Sequence, residues 1–162
     1  MSLSDRRLFL AAAATLLAGC GFQLRQPPKL HFASIALVGF APRSPMAEEL
    51  RRQLALQVRV LGDAGKAEVV LKALEDLREK SIVASTSAAQ VREIQLRVKL
   101  YFRADTPGGR ELVARAELMA ARDLSYLETA ALAKETEEAE LYREMQADVV
   151  TQVLRRLASV TV

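Results

Sequence analysis

The 162-residue chain has one cysteine, one histidine and no tryptophan, and aromatic residues make up only 5% of it. A single cysteine cannot close an internal disulfide or build a cysteine-rich zinc site. A single histidine, His31, cannot anchor a histidine metal cluster. A Ser-His-Asp centre would depend wholly on His31, which lies near the N-terminal end, far in sequence from Ser44, Ser81, Ser85 and Ser87. Charge of one sign is also missing: 23 Lys and Arg stand against 20 Asp and Glu, a formal net charge of +3. No stretch interleaves aromatics with a dense basic run as a single-strand-binding groove does, so nucleic acid is not an expected partner. The glycines of "GDAG" (62–65) and "TPGG" (106–109) lack the strand, glycine-rich loop and helix that cradle phosphate. Adjacent carboxylates such as Glu137 and Glu138 do not read as a facing acid-base pair. No enzyme chemistry, metal or cofactor is expected.

Long apolar runs are also scarce, and the one at the start is short. "MSLSDRRLFLAAAATLLAG" (1–19) has Arg6 and Arg7 in its head, an apolar run from Leu8 to Ala18, and then a small residue. That is the layout of an export signal, too short for the roughly 20 residues that a membrane-spanning helix needs. "DRRLFL" also carries a twin-arginine flavour. The segment ends in Leu17, Ala18, Gly19, Cys20, which resembles the bacterial lipobox. Small residues admit the signal peptidase to the backbone, and the Cys20 thiol is the nucleophile that takes the diacylglycerol. Three acyl chains, at about 0.8 kcal/mol per buried methylene, make such an anchor effectively permanent. Gly21 stands where Gram-negative lipoproteins retained in the inner membrane carry Asp, so the outer membrane is the expected location.

The expected organisation is a signal peptide (1–19), an acylated Cys20 with a tether stiffened by Pro27 and Pro28 (20–30), and one α+β domain (31–162). Within that domain "HFASIALVGF" (31–40) reads as a strand. Ser44 and Pro45 then start a helix, with Met46, Leu50 and Leu54 on one face. "VRVL" (58–61) is a short strand. Residues 67–77 mix β-branched and helix-favouring residues and are read as a strand that continues through "SIVAST". The clearest element is 93–103. Ile94, Leu96, Val98, Leu100 and Phe102 alternate with Gln95, Arg97, Lys99, Tyr101 and Arg103, so one face is buried and the other wet. After "ADTPGG" the returning strand, 110–124, is expected to turn Leu112, Ala114, Ala116 and Leu118 inward. The segment from about 130 to 158 carries Tyr142, Met145, Val149, Val153 and Leu157 on one helical stripe. Two helices on one face of a mixed or largely antiparallel sheet of about four strands is the economical solution.

Two places could meet an anion. Arg97, Lys99 and Arg103 project from the wet face at spacings of roughly 7 to 13 Å along one strand, close enough for several phosphates, or simply solvated among acidic neighbours. Lys134, in "LAKETEE", sits in the first turn of the last helix, where the dipole disfavours a cation. It calls for an anionic partner, from Glu135, Glu137 or Glu138 or from a ligand.

The order of these stretches resembles the LptE family of lipopolysaccharide-assembly lipoproteins. The likeness runs through "LLAGCGFQLR", "SIALVG", "SPMAEELRRQL", "REIQLRVKLYF" and "ALAKETEEAELYREMQADVVTQVLRRL". It implies a plug inside the LptD outer-membrane β-barrel that assists folding of the barrel and insertion of lipopolysaccharide into the outer leaflet. It also implies that Lys134 binds lipopolysaccharide. The family's second basic position falls near Thr86, where this chain has no charge, and Arg92 is the neighbouring cation placed to substitute. The competing reading is a lipid-anchored pilot or binding module for another outer-membrane assembly.

Overall fold

The computed structural model describes residues 28–85, 91–126 and 131–161. The elements run β1 (Ser34–Val38), α1 (Pro45–Leu54), β2 (Arg59–Leu61), a 3₁₀ turn (Ala64–Lys66), β3 (Val69–Ser85), β4 (Val91–Asp105), β5 (Glu111–Ser125) and α2 (Ala131–Ala158). The sheet order is β2-β1-β3-β4-β5, with β1 parallel to both of its neighbours and β3, β4 and β5 an antiparallel meander. The α+β arrangement is the expected one, with a correction: the sheet has five strands, because three residues of "VRVL" pair with Ser34, Ile35 and Ala36 and form an edge.

α1 begins as its sequence dictates. Ser44 caps it, its side-chain oxygen accepting from the Ala47 N–H at 3.0 Å, and Pro45 occupies the first position, where a missing N–H costs nothing. Met46, Ala47, Leu50 and Leu54 are buried, and they join one core with the inward residues of β4. Ile94, Leu96, Val98, Leu100 and Phe102 are all buried. The stripe on α2 closes the core from above, with Tyr142, Met145, Val149, Val150, Val153 and Leu157 buried. By spacing, Gly39 is the residue that lets the chain leave β1. Its φ is +82°, and a Cβ there would lie 2.3 Å from the Ala73 carbonyl oxygen of β3.

Bulges in the meander change which side chains face the helices. Ala73 is opposite Phe102 but Glu75 is opposite Tyr101, so Leu74 is an extra residue in β3. Before it, Val69, Leu71 and Ala73 face the helix layer. After it the phase reverses, and Asp76, Arg78 and Lys80 lie opposite Leu100, Val98 and Leu96 on the helix side. β5 contains a related slip: Phe102 is opposite Ala116 and Ala104 opposite Val113. Ala116 and Leu118 are therefore buried as expected, whereas Ala114 is exposed and Leu112 only half-buried. An unbroken period of two cannot describe a strand that carries a bulge.

Candidate functional site

The wet face of the sheet carries the residues that its alternation assigns to it, but they are not a cationic patch. Arg97 lies between Glu79 and Ala121, and its Nε donates to Gln95 Oε1 at 2.7 Å. Lys99 lies between Leu77 and Met119. Tyr101 is flanked by Glu75 and Glu117, and its hydroxyl pKa is raised, first by the hydrogen bond with Glu117. Arg103 pairs with Asp105 at 2.9 Å, Gln95 donates to Asp123, and the Arg115 guanidinium stands over the Tyr101 ring. Arg103 also lies opposite Lys72, but carboxylates, an amide and apolar side chains separate the other cations, and the face is polar with mixed charge.

Lys134 is on the other side of the molecule, in the first turns of α2. It is mostly covered and pairs with Glu137 at 2.7 Å, one of the three partners that the helix dipole called for. One helical turn on, Glu138 receives Lys80 of β3 at 2.6 Å, so Lys134 and Glu138 share a helix face toward β3. That contact raises the Lys80 pKa, the hydrogen bond that its ammonium donates to Glu138 being the largest cause. One further turn along, the Tyr142 hydroxyl donates to the Glu79 carbonyl at 2.8 Å, and the Arg78 guanidinium lies 3.9 Å above the Tyr142 ring. Burial is the first cause of the raised Tyr142 pKa, with Glu138 adding to it and Arg78 and Lys80 opposing.

Arg92 is exposed at the start of β4, where the register with β3 slips; its carbonyl accepts from the N–H of Tyr126, whose side chain packs against the core, and this places it at the helix-side end of the sheet where α2 begins. The structure thus puts Lys134 and Arg92 on one side and Arg97 and Lys99 on the other; the four do not form one site. Arg78 and Lys80 were not picked out from the sequence. Alternation continued past Ala73 puts them on the wet face, and only the bulge at Leu74 turns them toward α2. Cys20 and Thr86 lie outside the described residues. Among the described residues no group of His, Cys, Asp and Glu is arranged to hold a metal, and no helix is long and apolar enough to cross a membrane.

The model of the lipopolysaccharide-assembly family LptE matches residues 32–157, from just before β1 to the last turn of α2. The chain belongs to the LptE family. Among relatives of this LptE-family protein, the LPS-assembly lipoprotein LptE of Photorhabdus laumondii is 27% identical over 158 residues, covering 94% of this chain and 85% of the relative. The LPS-assembly lipoprotein LptE of Pectobacterium atrosepticum is 26% identical over 157 residues, with 94% and 84% covered. Among solved structures, a lipoprotein B from Nitrosomonas europaea superposes with a TM-score of 0.72 at 30% identity, over 86% of this chain and 91% of that one. The rare lipoprotein B of Shewanella oneidensis has the same fold, with a TM-score of 0.64 at 24% identity over 78% and 94% of the two chains. As an LptE-family member the protein is a non-catalytic outer-membrane lipoprotein of lipopolysaccharide assembly.

Proposed function

We propose that the protein is the plug and assembly partner of an LptD-type β-barrel, held at the outer membrane by acyl chains on Cys20, and that it meets lipopolysaccharide at the end of the molecule where α2 begins. Family membership across every element of the domain carries the reading. The surface chemistry supports it: barrel interiors are polar, and a body enclosed by one needs a mixed-charge exterior. The face bearing Arg97, Lys99, Tyr101 and Arg103 has that character, with Glu75, Glu79, Glu117 and Asp105 set among its cations. In this reading Arg97 and Lys99 meet the barrel wall rather than a lipid head group, while Lys134 and Arg92 on the opposite side meet the lipid.

Membranes from cells making the full chain are extracted in mild detergent, and the protein is purified. The expected result is stoichiometric co-elution of one large β-barrel and retention of lipopolysaccharide by the complex. Recovery of the acylated protein with a different outer-membrane assembly would replace this reading with that of a pilot module.

A further inference from the structure

Between the outer half of β3 and the first turns of α2 is a cleft of about 350 Å³, lined by Arg78, Lys80, Glu135, Glu138, Ala139 and Tyr142. It is open because β1 pairs with β3 only from Val69 to Lys72, so the outer part of β3 runs on without a strand on that side among the described residues. Helix α2 does not seal it either. The apolar stripe of α2 begins at Tyr142, and none of the described side chains in 132–141 is fully buried. The bulge at Leu74 supplies the cleft's two cations by turning Arg78 and Lys80 into it.

These cations differ. Lys80 is engaged by Glu138 at 2.6 Å. Arg78 has no ion pair and donates no side-chain hydrogen bond among the described residues, and its guanidinium carbon lies over the Tyr142 ring, 3.9 Å from the centroid. A guanidinium fixed by its face keeps its N–H donors at its edge, the fork that matches two oxygens of one phosphate. Glu138 does not bar an anion, since a partly exposed pair such as Lys80–Glu138 is weak and readily exchanged. Immediately beyond Lys80 come Ile82 and Val83, 64% and 55% exposed, and Leu132 on α2 is 82% exposed. A charged pair followed by uncovered apolar side chains at one end of the domain matches a molecule with a phosphorylated head and hydrocarbon next to it.

We infer that this cleft is a phosphate subsite for an amphiphile, with Arg78 gripping the phosphate, Lys80 exchanging Glu138 for it, and Ile82, Val83 and Leu132 lying beside the hydrocarbon. The inference rests on the reading that the Lys134 end meets lipopolysaccharide, and it supplies cations from β3 where the loop position near Thr86 has none.

The test uses the full acylated chain in detergent, as wild type, Arg78→Gln, Arg78→Lys and Lys134→Asp, with thermal unfolding of each measured alongside. The probes are lipopolysaccharide, the same preparation after phosphatase treatment, and inorganic phosphate as competitor at matched ionic strength. Arg78→Gln is expected to weaken binding of intact lipopolysaccharide about tenfold, the scale of one forked charge-assisted contact. It should leave the dephosphorylated probe unaffected, and Arg78→Lys should recover only part of the loss, because an ammonium cannot fork. A full effect of Lys134→Asp with none from Arg78→Gln overturns this inference and leaves the proposed function standing; no effect from either overturns both. Equal weakening of the two lipid probes by Arg78→Gln refutes phosphate recognition. Complete displacement by inorganic phosphate refutes an amphiphile as the ligand. Should Arg78→Gln not fold, Arg78→Lys against the two lipid probes decides, and equal losses refute the inference.

Discussion

Ser44 is the residue whose removal tests the packing of helix on sheet most directly. Its side-chain oxygen accepts from the Ala47 N–H at 3.0 Å and its hydroxyl donates to Asp76 Oδ2 at 2.5 Å, so one buried group caps α1 and ties it to β3. Ser44→Ala removes both. Losing the cap costs about 1 kcal/mol. The bond to the carboxylate is charge-assisted, a class that contributes about 1.5–3 kcal/mol when buried. Asp76 is only half-buried and can turn to water, so the lower end of that range applies. The expected loss is about 2–3 kcal/mol, a fall in Tm of roughly 6–12 °C for a domain of this size. The chain has no tryptophan, so the assay is guanidinium or thermal unfolding followed by far-UV circular dichroism. Ser44→Thr, which keeps the hydroxyl, should lose less than half as much. A double-mutant cycle of Ser44→Ala with Asp76→Ala should return a coupling of about 1 kcal/mol. A Ser44→Ala loss below about 0.5 kcal/mol, or a cycle with no coupling, would refute the claim that this tie holds α1 to the sheet.

Other expectations follow from the same geometry. Gly39→Ala places a Cβ 2.3 Å from the Ala73 carbonyl oxygen at a φ of +82°, so β1 and β3 must part; equilibrium unfolding should show a loss of about 3 kcal/mol or more. Cys20→Ser should leave the unfolding midpoint of the domain unchanged while the protein leaves the membrane fraction. Palmitate incorporation into the mutant would count against the anchor. Lys80, Tyr101 and Tyr142 all have raised pKa values, so the folded state holds these protons more tightly than the unfolded chain. Their contribution is full below the ordinary values near pH 10 and is lost as pH rises through the folded values. Denaturant titrations should therefore show stability from these groups unchanged between pH 7 and about 9.5 and falling above pH 10. The fall should be shallower in Tyr142→Phe.

Much of this architecture was legible because it rests on local chemistry. The alternation from Ile94 to Phe102 separates a buried from a wet face, and β4 has no bulge within that run. Ser44 followed by Pro45 is a local helix-start signal, a capping hydroxyl before a residue whose missing N–H costs nothing, and the stripe from Tyr142 to Leu157 asks for an apolar surface to cover. Lys134 is legible for the same reason, since a cation in a first helical turn requires an anionic partner and has one in Glu137.

The sequence by itself determined the elements, the core faces of α1, β4 and α2, and the mixed charge of the exterior, because each follows from periodicity and capping within a few residues. Only the tertiary structure decided the phase of β3 beyond Ala73 and of β5 before Ala116, and with it which charged side chains face the helices. A bulge is chosen by the register that two strands reach together, and a single extra residue, Leu74, carries Arg78 and Lys80 from one face of the sheet to the other.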